Sequence, residues 1–159
     1  MAYLDTAPEQ LLIGALRLSL AGHFYEDCAC FEAARSIAAA ATGPAAAEAI
    51  LAAVTPTAEL LWQLRGSGLR VYPYACRCLS RDECMMIAAT AAAQHADDDA
   101  MTLAVEGLLL RPTPLFTGLL SRGFCGIAAA LEQTGAHLQD VPCPVIAAIA
   151  AAEPSIRLH

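Results

Sequence analysis

The clearest helix start in the chain lies in Leu79-Ser80-Arg81-Asp82-Glu83-Cys84-Met85-Met86-Ile87-Ala88-Ala89-Thr90-Ala91-Ala92-Ala93. Ser80 precedes Glu83 by three residues, so the Ser80 hydroxyl can accept from the Glu83 amide while the Glu83 carboxylate accepts from the Ser80 amide, which is a capping box. Residues 84–96 carry no formal charge when His95 is neutral, and their apolar side chains point in nearly every direction. A helix that is apolar all round is a buried helix. We therefore predict a central buried helix over about residues 81–95, with the other helices packed around it.

The composition predicts an all-α protein. The hydrophobic fraction of 57% owes much to alanine, which is the best helix former, whereas the β-branched and aromatic residues that favour strands are sparse. A chain of 159 residues has the size of one domain. We therefore predict a single all-helical domain over residues 1–159, built as a bundle of about seven or eight helices.

Caps and prolines divide the rest of the chain into helices. Thr6 and Glu9 form a second capping box, which starts the first helix. Pro56 is expected to break the alanine-rich segment around it into two helices, because proline removes a backbone donor. The only strand-like stretch, residues 69–74, contains Pro73 and has no second strand to pair with, so it is expected to be an extended connector.

The absence of a sequence-predicted membrane span and of an export signal predicts a cytoplasmic protein. The formal net charge is −7, which argues against non-specific nucleic-acid binding, and all nine basic residues are arginines, which we interpret as the codon bias of a GC-rich bacterial genome. The longest uncharged run, residues 84–96, is shorter than the roughly 20 apolar residues that span a bilayer. The N-terminus has neither the basic region nor the cleavage site of a secretory peptide. We therefore expect no membrane span, and we expect the seven cysteines to be reduced.

Histidines beside acidic residues are the first candidate for chemistry. Each of two histidines stands at a predicted helix end with carboxylates in the first turn of the next helix, as in two helical hairpins of similar build. Such sets can ligate a transition metal in a helical bundle. The alternative is that they only complement the helix dipoles. The candidate metal ligands are His23, Glu26 and Asp27, and His95, Asp98 and Asp99.

A second candidate metal or thiol site consists of Cys76, Cys78 and Cys84. In an extended segment Cys76 and Cys78 face the same way, so they could share a metal ion. The neighbouring arginines and the first turn of a helix could lower the pKa of these thiols. The alternative is that the cysteines behave as small buried hydrophobic residues, as is expected of the remaining four.

A third candidate is an anion or nucleotide site on the connector. Arginines interleaved with tyrosines are typical of surfaces that stack bases and bind anions. The alternative is that these arginines pair with the acidic body of the protein or remain solvated. The candidate residues are Arg70, Arg77, Arg81, Tyr72 and Tyr74.

The sequence contains no nucleophile elbow, phosphate-binding loop or H-E-x-x-H motif that would identify an enzyme. Trp62, Phe24 and Phe31 are expected in the core. A very apolar chain with only 16% charged residues is expected to keep apolar surface for a protein partner. We therefore predict a non-catalytic interaction or regulatory module that forms homo-oligomers. The alternative function is a metal-binding or thiol-redox protein that uses one of the clusters above.

Overall fold

The structure is a computed structural model that describes residues 2–152. Within these residues the chain forms seven α-helices, two two-residue strands and a short 3-10 turn at Gly66–Gly68. The all-α prediction is confirmed. The predicted domain, residues 1–159, includes residues 1 and 153–159, which lie outside the described residues. The elements are β1 (Ala2–Tyr3), α1 (Ala7–Tyr25), α2 (Cys28–Thr42), α3 (Pro44–Arg65), β2 (Cys78–Leu79), α4 (Arg81–His95), α5 (Asp98–Leu108), α6 (Pro114–Glu132) and α7 (Cys143–Ala151).

Helix α4 is the buried helix that the sequence predicts. Its capping box is formed, with the Glu83 amide donating to Ser80 Oγ over 3.1 Å and the Ser80 amide donating to Glu83 Oε2 over 2.8 Å. Ten of its fifteen residues are buried, and it packs against α5, α6 and α7. Helix α1 also has ten buried residues, among them most of 11–20, so the core is built around two helices rather than one.

Pro56 does not end a helix, contrary to the sequence prediction. Helix α3 runs without a break from Pro44 to Arg65. Both Pro56 and Ala52, whose carbonyl loses its partner at the proline, lie on the exposed side of the helix, where water can replace the missing donor. Buried residues on both sides of the proline, such as Val54 and Leu61, hold the two parts in one rod.

The helices form two units of similar build, α1–α2–α3 and α4–α5–α6. Each unit begins with a capping box on its first helix, and each first helix ends at a residue in the left-handed region, Glu26 with φ 53° and Ala96 with φ 54°. In each unit the next residue is an aspartate that caps the second helix, Asp27 for α2 and Asp97 for α5. The two predicted hairpins of similar build are therefore present.

Contacts between the two units are reciprocal. The strands that precede the units pair antiparallel, with Ala2 opposite Leu79 and Tyr3 opposite Cys78, although the sequence offered no partner for a strand. Helices α3 and α6 cross closely through small residues, because a Cβ atom at Gly123 would lie 2.6 Å from Thr57 Oγ1 and one at Gly126 would lie 3.7 Å from the Ala53 Cβ. Reciprocal contacts of this kind are what a twofold axis between the units produces.

Two stretches, Pro44–Gly68 and Pro114–Glu132, are long and apolar enough to cross a membrane by length and composition. The sequence prediction considered only the longest uncharged run and did not identify them. These criteria alone do not establish a membrane location, because a core helix of a globular protein also meets them.

Candidate functional site

A buried ion pair lies at the start of α4. Arg17 of α1 binds the Glu83 carboxylate with both ends of its guanidinium, Nε to Oε1 over 2.6 Å and Nη2 to Oε2 over 3.0 Å. The Arg17 and Glu83 side chains are only 2% and 1% exposed. A bidentate pair of this geometry compensates the cost of removing both charges from water.

Asp82 is the second buried acid of this turn. It accepts from Arg65 Nη2 over 3.3 Å, from Arg81 Nη1 over 3.0 Å and from the Arg70 amide over 2.9 Å. Arg65 also donates to the carbonyl of Leu108. The start of α4 is therefore bound to the end of α3, to the connector and to the end of α5.

The same groups hold the connector, residues 69–77, on the surface of α1. The remaining N–H groups of Arg17 donate to the backbone carbonyls of Pro73, Tyr74, Cys76 and Cys78. The Tyr72 amide donates to Glu83 Oε1 over 3.1 Å. Every N–H of the Arg17 guanidinium thus has an acceptor within the protein, and the role of this cluster is to fix the connector.

The fixed connector forms one wall of an open groove of about 580 Å³. Helix α1 and the end of α3 form the other walls, and most of the lining atoms belong to aromatic and aliphatic side chains. We call this site the aromatic groove. Its aromatic residues are Phe24, Tyr25, Trp62, Tyr72 and Tyr74.

The rings of the aromatic groove are exposed to solvent to an unusual degree. Phe24 is 52% exposed and Tyr25 is 70% exposed, and Phe24 packs edge-to-face on Trp62 with 5.3 Å between the ring centroids. The sequence prediction that Phe24 belongs to the core is therefore wrong. Helical spacing placed Phe24 on an apolar stripe, but α2 begins only after Asp27, so the ring is left at the edge of the bundle.

A second pocket of about 430 Å³ also has Trp62 in its wall, but unlike the aromatic groove it has acidic residues in its lining. Two of its lining residues are Glu26 and Glu59, and neither carboxylate forms an ion pair with any residue between 2 and 152. His23 also lines this pocket, and its ring packs on Phe31 with 5.1 Å between the centroids. We call this site the acidic pocket.

The predicted histidine and carboxylate ligands do not form a metal centre within residues 2–152, where no group of three potential ligands is close enough to hold an ion. The His95 Nε2 is hydrogen-bonded to the carbonyl of Leu138 over 3.1 Å, whereas His23 lies in the acidic pocket. Asp27 accepts from the Ala29 amide, which is the capping role of the alternative interpretation. The remaining predicted ligands, Glu26, Asp98 and Asp99, are exposed at helix ends. Metal binding stays a prediction, which elemental analysis of the purified protein can test.

Two of the three cysteines of the predicted thiol site, Cys78 and Cys84, have environments that oppose thiolate formation. Burial, followed by the charge of Glu83, raises the pKa of the Cys84 thiol. Burial and a hydrogen bond with Cys76 raise the pKa of the Cys78 thiol. The sequence prediction of a lowered thiol pKa is therefore wrong in direction for Cys78 and Cys84. The nearby arginines do not reverse this effect, because Arg17 and Arg81 are occupied by Glu83 and Asp82.

The predicted anion site is divided between two places. Tyr72 and Tyr74 line the aromatic groove, but none of Arg70, Arg77 and Arg81 does. Arg81 instead donates to Asp82 and to the carbonyls of Gly107 and Ala150, so it pairs locally as the alternative interpretation expected. Comparison with protein-family models, with curated proteins and with solved structures finds no match to this chain.

Proposed function

We propose that this protein is a non-catalytic interaction module that associates with a second copy of itself through the outer face of α6. The observation that supports the proposal is the composition of this face, in which only two of seven exposed residues are charged. Leu115 is 66% exposed and Leu119 is 39% exposed. The outer face of α6 consists of Leu115, Gly118, Leu119, Arg122, Cys125, Ala129 and Glu132.

Helix α6 is apolar on both sides. Its inner side contributes Leu120, Phe124, Ile127 and Leu131 to the core, all of which are fully buried. The outer side of a surface helix ordinarily carries charged residues, and an apolar outer side favours a further contact. The small residues among the leucines allow a second helix to approach closely. A second copy of α6 fits because a twofold axis pairs a face with itself.

The non-catalytic part of the proposal rests on how the buried charged residues are used. Arg17, Asp82 and Glu83 are the buried charged residues of the described chain, and their polar atoms are bound to each other, to other arginines or to the backbone. The thiol pKa values of Cys78 and Cys84 are raised rather than lowered, which disfavours nucleophilic chemistry.

Sedimentation velocity over a range of protein concentrations tests the proposal. We expect the wild-type chain to sediment as a dimer and the double variant Leu115→Glu/Leu119→Glu to sediment as a monomer with unchanged helical circular dichroism, because glutamate keeps the helix but places like charges in the contact. The matched control is Val145→Glu on α7. Val145 is 46% exposed but lies outside this face, so the dimer should persist in this variant. A monomeric wild type at high concentration would refute the proposal, as would equal loss of the dimer in both variants.

A further inference from the structure

We propose that the aromatic groove and the acidic pocket together form a binding site for a cationic aromatic ligand, that is, a planar ring system whose ammonium or amidinium group is protonated at neutral pH. The ring system of such a molecule would lie in the groove, and its ammonium or amidinium group would point past Trp62 toward Glu26 and Glu59. The site is separate from the outer face of α6, so this proposal does not depend on self-association.

The size and the lining of the groove fit a planar ring system. A volume of about 580 Å³ lies within the range of small-molecule sites, which are mostly apolar and aromatic. The aromatic lining comes from two parts of the fold, with Tyr72 and Tyr74 on the connector and Phe24 and Trp62 on the helices. Exposed aromatic rings from both parts favour a flat ligand that stacks against them.

The groove has no donor for an anion. Arg17 is the single charged residue in its lining, and each of its N–H groups is bound to Glu83 or to a backbone carbonyl between residues 73 and 78. An anionic ligand would therefore meet no free guanidinium, and the net charge of −7 would repel it. The site selects against negatively charged ring systems.

A positive charge, by contrast, finds partners next to the groove. Trp62 belongs to the walls of both the groove and the acidic pocket, so the two sites adjoin at this side chain. Glu26 and Glu59 form no ion pair with any residue between 2 and 152, and Glu59 Oε1 accepts only from the neutral Gln63 Nε2 over 3.2 Å, so neither negative charge is neutralised there. The faces of Trp62 and the tyrosines attract positive charge through their quadrupoles. Together these groups favour a cation over a neutral ligand of the same shape.

The test uses three acridines that share one ring skeleton and differ in charge at pH 7.5. Proflavine is cationic, acridine is neutral and acridine-9-carboxylate bears a negative group. Isothermal titration with the full chain gives the affinities, and the absorbance shift of proflavine gives an independent signal. We expect proflavine to bind about tenfold more tightly than acridine, from cation–π attraction and pairing with the carboxylates, and the carboxylate to bind most weakly.

Two variants separate the parts of the site. Glu59→Gln removes one charge without changing the shape of an exposed side chain, so it should lower proflavine affinity several-fold and leave acridine affinity unchanged. Tyr72→Ala removes one stacking surface, so it should weaken both ligands. The matched controls are Glu106→Gln, an exposed acid on α5, and Tyr3→Ala, an exposed tyrosine, because neither residue lines the groove or the pocket.

The proposal is overturned by any of three results. One is the absence of binding by all three acridines at millimolar concentration. Another is equal affinity for the cationic and the anionic acridine. The third is a control variant that weakens proflavine as much as its matched site variant, since binding would then reflect overall charge or a general surface effect.

Discussion

At the scale of single residues, Arg17 connects more of the molecule than any other side chain described above. It reaches from α1 to the first turn of α4 and binds four carbonyls of the segment between Pro73 and Cys78. Without Arg17, the buried Glu83 carboxylate would have no counter-ion at this position. The backbone carbonyls of residues 73–78 would also lose the donors that hold the connector against α1. The shape of the aromatic groove therefore depends on one guanidinium.

Replacing Arg17 with methionine should cost about 3–5 kcal/mol of unfolding free energy, because removal of one partner leaves the Glu83 charge buried and uncompensated. Urea denaturation followed by circular dichroism measures this loss. Arg35→Met is the matched control, since Arg35 makes its ion pairs with Glu32 and Glu48 on the exposed surface and should matter little. Equal losses in the two variants would contradict the structural role of the buried pair.

Thiol chemistry at Cys84 should be slow. Burial raises the pKa of this thiol above its usual 9.0, so the folded protein holds less thiolate at any pH than the unfolded chain does. The corresponding stability is present below pH 9 and is lost as the pH rises, because the unfolded chain then ionises first. In alkylation with iodoacetamide at pH 8, read by mass spectrometry, Cys84 should react more slowly than the exposed Cys125, and denaturant should abolish the difference. Faster labelling of Cys84 in the folded protein would disprove this.

At the scale of elements, the crossing of α3 and α6 joins the two units, and it depends on a missing side chain. Gly123→Ala should destabilise the protein by about 1–3 kcal/mol, because the new Cβ would lie 2.6 Å from Thr57 Oγ1. Gly118→Ala in the same helix is the control, since nothing lies within 4 Å of its added Cβ. Both variants are compared at a protein concentration at which the chain is monomeric, because Gly118 belongs to the proposed contact face. Alanine is the better helix former, so this control should stabilise by about 0.5–1 kcal/mol. Urea denaturation of both variants measures the two effects, and a stabilising Gly123→Ala would show that the crossing is looser than described.

Local signals predicted the helix starts better than the helix interiors. The capping boxes at Thr6 and Ser80 both form as expected, because each consists of short-range hydrogen bonds between a side chain and a nearby amide. Pro56 misled the prediction because its effect depends on whether water reaches the carbonyl of Ala52. The exposure of that carbonyl depends on how the helix packs in the folded protein, and the residues next to the proline in sequence do not predict it.

At the scale of the whole molecule, the sites could be predicted less well than the bundle. The two tyrosines of the connector are close in sequence, but they line the same groove as Phe24 and Trp62 because Arg17 binds the connector onto α1. The partners of the arginines were likewise set by distant residues, such as Asp82 for Arg65. The spacing of residues within one segment does not predict which distant segments come together. The sequence analysis therefore did not identify the aromatic groove, which is built from residues as far apart as 17, 62 and 74.

The two units end differently. Residues 133–142 lead from α6 into α7, which packs on α4 and α5, whereas the connector that follows α3 stays without a long helix and lines the groove. An internal twofold relation would otherwise generate two equivalent cavities per chain. The broken symmetry therefore fixes the stoichiometry: a titration of the groove should saturate at one equivalent per polypeptide, and dimerisation should double the number of sites in the particle without changing that ratio.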